Sequence, residues 1–350
     1  MKTRLTNKNN SLPGDTLKKL INHIRKVDKI SIKDSDEKYL SLMGYFHGYQ
    51  ACRFVRTDSP HNSLNIKRFS QIRNIYNVND QLKLLFYPII MQLETALKSR
   101  IIDILASNHH CYLHDIFANC LNGYKDIIPH NSKLRRKRRD RIKNKYRIEG
   151  KLYNAMSRNI GNDTINYYVK RNQEVPIWAI FEFITLGTFG YFVDLLNLDI
   201  RKKLEESIGI IDNQDLKMMD NYSHDDTYKK YTFICTHLFL LNDLRDAVAH
   251  NKIIFDCRFR SANSSEAVKY QLRRKFHMKQ PVTFNSIVDY FTLTSFYQYK
   301  LGINVKYIYA EQHQLHDILL SFLNHEGESN FDKAFGQDAF KKLHQINFKI

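Results

Sequence analysis

Between Leu82 and Ile104 the apolar residues Leu82, Leu85, Phe86, Ile89, Leu93, Leu97, Ile101 and Ile104 recur mostly at steps of three or four. That period places them on one face of a long helix. Pro88 interrupts the pattern and either kinks the helix or marks its true start. The same spacing returns in Leu17, Leu20, Ile21 and Ile24, with Asp15 placed as an N-cap. It returns again over 228–252, in Phe233, Ile234, Leu238, Leu241, Leu244 and Val248, and near 284–300 and 304–323. An aromatic-rich segment runs from Tyr39 through Met43, Phe46 and Tyr49. Pro176 suits the first turn of a helix that carries Trp178 and Phe181 and is broken at Gly187 and Gly190. Residues 57–66 and 121–150 read as loops, and the only strand expected is a short one near 253–259. The predicted class is mainly α.

A chain of 350 residues, 43% of them hydrophobic, can bury a core in one large domain or two modest ones and is not disordered. Five cysteines, at 52, 111, 120, 235 and 257, make no disulfide framework, which points to a reducing cytosol. No apolar stretch follows MKTRLTNKNN, so no signal peptide is expected. The most membrane-like segment, 177–196, carries Glu182, Asp194 and two glycines, whereas a bilayer crossing needs ~20 mostly apolar residues. The expected protein is cytoplasmic, with no membrane partner.

The formal charge is +18, from 54 Lys+Arg against 36 Asp+Glu. Half of it sits in KLRRKRRDRIKNKYR, residues 133–147: Lys133, Arg135, Arg136, Lys137, Arg138, Arg139, Arg141, Lys143, Lys145 and Arg147, against Asp140. A charge run is often a solvated face. Here Arg outnumbers Lys, and the planar guanidinium grips phosphate with two bonds, so a polyanion partner is expected, most simply nucleic acid. A run with no apolar face is a poor membrane-surface helix.

The segment LNDLRDAVAHN, 241–251, carries the candidate chemistry. On a helix Asn242, Asp246 and His250 form one polar stripe, in which Asp246 is spaced to hydrogen-bond the His250 imidazole and fix its tautomer. Arg245 lies about 140° from His250 around the axis of an ideal helix. One straight helix therefore does not aim both at one atom. A helix end, a kink or a second copy of the chain is needed. Arg, Asp and His on a polar helix face are by themselves common.

Three segments add to this, in order: FYPIIMQLETALKSRI (86–101), VPIWAIFEFITLGTF (175–189) and LNDLRDAVAHNK (241–252). The last resembles the HEPN superfamily motif, an Arg followed by a polar residue and, four to six residues on, a His. Together the three resemble the Abi-like (AbiD/AbiF) abortive-infection family over roughly 15–257, with Asp246 where that family more often has Asn. The resemblance implies an all-α, HEPN-like helical bundle with additional helices. In active members it implies metal-independent RNA cleavage at a site shared by two paired domains, with no cofactor. Carried over, the catalytic residues are Arg245, Asp246 and His250. Histidine, with an ordinary pKa of ~6.5, moves a proton near neutral pH. Arg245 would hold the phosphate oxygens as charge develops. The expected organisation is a flexible tail over 1–14, an Abi-like domain over 15–257 with a basic loop insertion at 130–150, and a helical extension over 258–350 packed on the same domain.

Glu94 is spaced to pair with Lys98, and together with Arg100 and Asn242 it is expected to support the site structurally. Glu182 receives no catalytic role. His109, His110, Cys111, His114 and Cys120 lack a recognised zinc spacing, so no metal is assigned. The function expected is a phage-defence endoribonuclease that binds RNA through 133–147, as substrate or as a bound regulator, and acts as a homodimer or higher oligomer held in check by a partner or a bound RNA. The alternative is an RNA-binding protein that uses the same scaffold without turnover.

Overall fold

The computed structural model describes residues 16–56, 62–121, 132–217, 232–259 and 266–348. The expected tail at 1–14, the Asp15 cap, 57–61, 122–131 and 228–231 lie outside the described residues.

The organising element is a spine helix, Phe69–Ser107, of 39 residues, about 58 Å long at 1.5 Å per residue. It begins well before Leu82, because Phe69, Ile72, Ile75 and Val78 continue the buried stripe toward the N-terminus. Pro88 neither ends nor starts it. Pro88 sits on an exposed face, where the carbonyl it deprives of an N–H donor can bond to water.

Other helices wrap this spine. Phe233–Ala249, the motif helix, packs on it beside Leu198–Ile208, Ile287–Lys300 and Val305–Glu326. The C-terminal extension thus covers the same core. Buried Glu326 accepts from Gln71 Nε2 at 3.0 Å and Asn74 Nδ2 at 3.3 Å on the spine. Within the extension, Lys342 meets Asp289 at 3.1 Å, with side chains 3% and 0% exposed.

The stretch expected as a basic loop is instead a helix, Ser132–Arg158. Only Ile148 and Leu152 of it are buried, but Leu134, Lys137, Arg138, Arg141, Ile142 and Lys145 are half-buried at helical spacing. The packed stripe is therefore built largely from Lys and Arg, whose aliphatic stems can cover apolar surface. Both residue types also favour helix.

No strand occurs among the described residues. Residues 253–259 form turns instead, where Asn79 Oδ1 accepts the Ile254 N–H at 2.8 Å and Cys257 adopts a φ of 52°. The segment 177–196 is two helices, Ile177–Phe181 and Leu186–Leu195. It breaks at Glu182–Thr185 and not at the glycines, which lie inside the second helix and face the motif helix. A Cβ on Gly187 would stand 2.9 Å from Asn242 Oδ1. Among the described residues no helix is long and apolar enough to cross a membrane.

Candidate active site and nucleic-acid interface

The motif helix ends where its chemistry begins. His250 is its C-cap, followed by Asn251 at φ 52°. Asn251 N–H donates to Val248 O at 3.2 Å and Lys252 N–H to Ala247 O at 2.8 Å. This left-handed double closure suits Asn, whose short side chain tolerates that conformation. Lys83 of the spine also donates to Asn251 Oδ1. His250 is thus exposed on a helix end fixed by backbone bonds and by the spine.

Arg245 is half-buried, its side chain 21% exposed. Its Nη1 donates to Asp246 Oδ1 at 3.1 Å, and its Nε faces Glu94 Oε2 at 3.5 Å. Glu94 is in turn bound by Lys98, whose Nζ donates to Glu94 Oε1 at 2.8 Å and to Ile184 O at 2.6 Å. A buried carboxylate between two cations has its desolvation offset by both of them. It also locks the Arg245 stem against the spine. No hydrogen bond among the described residues engages Arg245 Nη2. The guanidinium lines a cavity of about 500 Å³ whose walls include Glu94, Lys98, Trp178, Phe181 and Glu182.

The structure therefore brings Arg245, Asp246, Asn242 and Glu94 together. Asn242 Nδ2 reaches Asp246 Oδ2 at 3.5 Å, so the Asp246 carboxylate serves Arg245 and Asn242. Its link to His250 runs through the backbone, His250 N–H to Asp246 O at 3.0 Å. Arg100 is not brought in. It is exposed on the spine, six residues and thus about 240° around the axis from Glu94.

The same helix carries a second histidine of opposite character. His237 is wholly buried, with Nδ1 on the Tyr297 hydroxyl at 2.9 Å, and desolvation pushes its pKa down to about 3. It is a neutral core residue. At the helix start Glu205 Oε1 accepts the Ile234 N–H at 2.8 Å, and burial raises its pKa to about 7.

Of the ten basic residues in 133–147, Lys133, Arg135, Arg136, Arg139, Lys143 and Arg147 are exposed, and Lys137, Arg138, Arg141 and Lys145 are half-buried. Arg141 Nη2 donates to Asp194 O at 3.2 Å, and Arg147 lies over the Tyr191 ring at 4.5 Å. Tyr191 packs edge-on against Phe239 of the motif helix at 5.0 Å. Beyond the run, Lys151, Asn154 and Arg158 line a groove of about 470 Å³ with Thr185 and Thr188. The segment Glu182–Thr185 contributes to both, with Glu182 lining the Arg245 cavity and Phe183, Ile184 and Thr185 lining this groove. Lys98 enters the site as the partner of Glu94, and Trp178 and Glu182 lie in the 175–189 segment, but only packing makes them, with Lys151 and Arg158, neighbours of Arg245 or of this groove.

His110 Nδ1 bonds Asp115 at 2.6 Å and His114 Nδ1 bonds Glu174 at 2.7 Å. Among the described residues no group of three metal-ligating side chains converges.

The family profile described as Abi-like protein matches residues 35–256. The chain belongs to the Abi-like protein family. Membership implies a part in abortive-infection phage defence. The Abi-like match contains the spine, the basic helix and the motif helix, and it ends beside Cys257 and the turn that follows the motif. The whole C-terminal extension, 258–350, lies outside it. Neither a curated protein nor a solved structure matches the chain.

Proposed function

We propose that the chain is a metal-independent endoribonuclease of phage defence. The carrying observation is Arg245, clamped by Glu94 and Asp246 at a cavity wall, with exposed His250 about 7.5 Å further along the helix axis. A clamped guanidinium with an uncommitted edge suits the non-bridging oxygens of a phosphodiester. The RNA 2′-oxygen attacks the adjacent phosphorus, the P–O5′ bond breaks, and the proton lost from the 2′-hydroxyl is matched by one delivered to the 5′-oxygen. His250 moves one of these protons. A paired second copy supplies the other histidine, which also relieves the divergence of Arg245 and His250 around a single helix. Asp246 acts through Arg245, as a positioning residue.

The basic helix and its groove hold the strand, and a bound RNA or a protein partner restrains the nuclease in the resting cell. The test is incubation with single-stranded RNA in EDTA. Cleavage by the wild-type chain and its loss in both Arg245→Ala and His250→Ala support the reading. No cleavage, or cleavage unchanged in His250→Ala, overturns it in favour of RNA binding without turnover.

A further inference from the structure

We infer that the cavity beside Arg245 is a guanine subsite, with Glu182 as its specificity residue and Trp178 as its stacking wall. This rests on the reading of Arg245 as the phosphate-holding group and names the nucleotide that flanks that phosphate.

The walls decide the class of ligand. Their charged residues are Glu94, Glu182, Lys98 and Arg245, two of each sign, so the formal charges cancel and the cavity does not attract a second phosphate. The apolar part comes from Trp178, Phe181, Met91 and Ile102. Trp178 is the only tryptophan in the chain. It is 38% exposed, and its indole N–H is held by the Tyr168 hydroxyl at 3.0 Å. An aromatic wall in a cavity of about 500 Å³ suits a planar heterocycle, and stacking on such side chains is how proteins hold unpaired RNA bases.

Glu94 is not available to a ligand, since one oxygen binds Lys98 and the other faces Arg245. Glu182 is exposed, and no hydrogen bond or ion pair among the described residues engages its carboxylate. It caps the C-terminus of Ile177–Phe181, one turn from Trp178. A carboxylate only accepts hydrogen bonds, through two oxygens side by side. Of the four RNA bases only guanine presents two adjacent N–H donors on one edge, N1–H and the 2-amino group. Adenine and cytosine place a ring-nitrogen acceptor beside their amino group, and uracil sets one N–H between two carbonyls. Glu182 therefore rewards guanine and repels the others.

Because Trp178 is the sole indole, its emission reports the cavity directly. The full chain is titrated with the four nucleoside 5′-monophosphates, which contain no phosphodiester to cut. Calorimetry on the same samples captures binding to which the fluorescence is silent. The guanosine nucleotide is expected to bind saturably and at least tenfold more tightly than the other three. In Glu182→Gln, whose exposed position spares the fold, that preference is expected to fall below twofold. Equal affinities, no binding, or a preference unchanged in Glu182→Gln overturns the subsite. RNA cleavage in EDTA without guanosine preference would sink the subsite alone, and guanosine binding without cleavage would sink the catalytic reading alone.

Discussion

The two cavities to which the segment Glu182–Thr185 contributes are built on opposite plans. On one side Arg245 faces a cavity whose charges cancel, with its cation clamped by Glu94 and Asp246. On the other, Lys151 and Arg158 line a groove with no acid in its wall, continuous with a helix that carries half the net charge of the chain. Long-range attraction to a polyanion belongs to the second side. Discrimination and bond-breaking suit the first, where a fixed dipole or cation acts on developing charge without reorganising. On the proposed reading, net charge marks where RNA would be held and says little about where it would react.

The most drastic way to break this division is His250→Ala. Cleavage should fall by ~10²–10⁴, the usual worth of a proton-transfer group, while single-stranded RNA affinity by filter binding stays within about twofold. The helix end should survive, because its closure uses backbone atoms and Asn251. The converse variant replaces exposed Arg135, Arg136, Arg139 and Lys143 by Gln. Its salt dependence of single-stranded RNA binding should flatten by up to ~0.7 log units for each phosphate that is no longer neutralised, with the cleavage rate at saturating RNA unchanged. An unchanged slope would make the basic helix a bystander.

Buried His237 of the motif helix and buried Glu205 at its start give a third, smaller effect. His237 is held near a pKa of about 3 by burial, so between there and its unfolded value of ~6.5 only the unfolded chain takes the proton, and stability is lost as pH falls. Glu205, raised to about 7, has the opposite sign. Below pH 7 the folded chain protonates it first, and stability is gained as pH falls toward ~4.5. From pH 7.5 to 5 the two contributions are each roughly 2–3 kcal/mol and largely cancel. In His237→Phe the Glu205 contribution stands alone, and denaturant unfolding should show the variant about 2 kcal/mol more stable at pH 5 than at pH 7.5, relative to wild type. The smallest effect is expected from Gly187→Ala. A Cβ there meets Asn242 Oδ1 at 2.9 Å, the mobile end of a side chain, so unfolding should shift by less than ~1 kcal/mol. The displaced Asn242 should reduce cleavage several-fold through Asp246.

The helical class, the motif helix and the C-terminal half of the spine are legible in the sequence because their buried residues are apolar and evenly spaced. The N-terminal half of the spine is hidden by Pro88, whose cost is small on an exposed face, by polar Asn74, Asn77 and Asp80 between its buried residues, and by Asn79, which is buried though polar. The basic helix reads as a loop for a different reason. Its half-buried stripe is made largely of Arg and Lys, which a hydropathy pattern counts as polar. At the site, the sequence points to Arg245, Asp246, Asn242 and Glu94, and the structure brings them together. The expected Asp246–imidazole bond is replaced by Asp246–Arg245, because the helix ends at Ala249 and the C-cap conformation of His250 departs from the helical stripe. Trp178 and Glu182 lie more than fifty residues before the motif, and only folding brings them to it.

The division between holding and cutting is tested most directly by the ends of an RNA cleaved in EDTA. Attack by the 2′-hydroxyl at the Arg245 cavity predicts 2′,3′-cyclic phosphate and 5′-hydroxyl ends, with a DNA strand of the same sequence bound and left intact. Cleavage that leaves 3′-hydroxyl and 5′-phosphate ends, or that proceeds equally on DNA, would contradict the account.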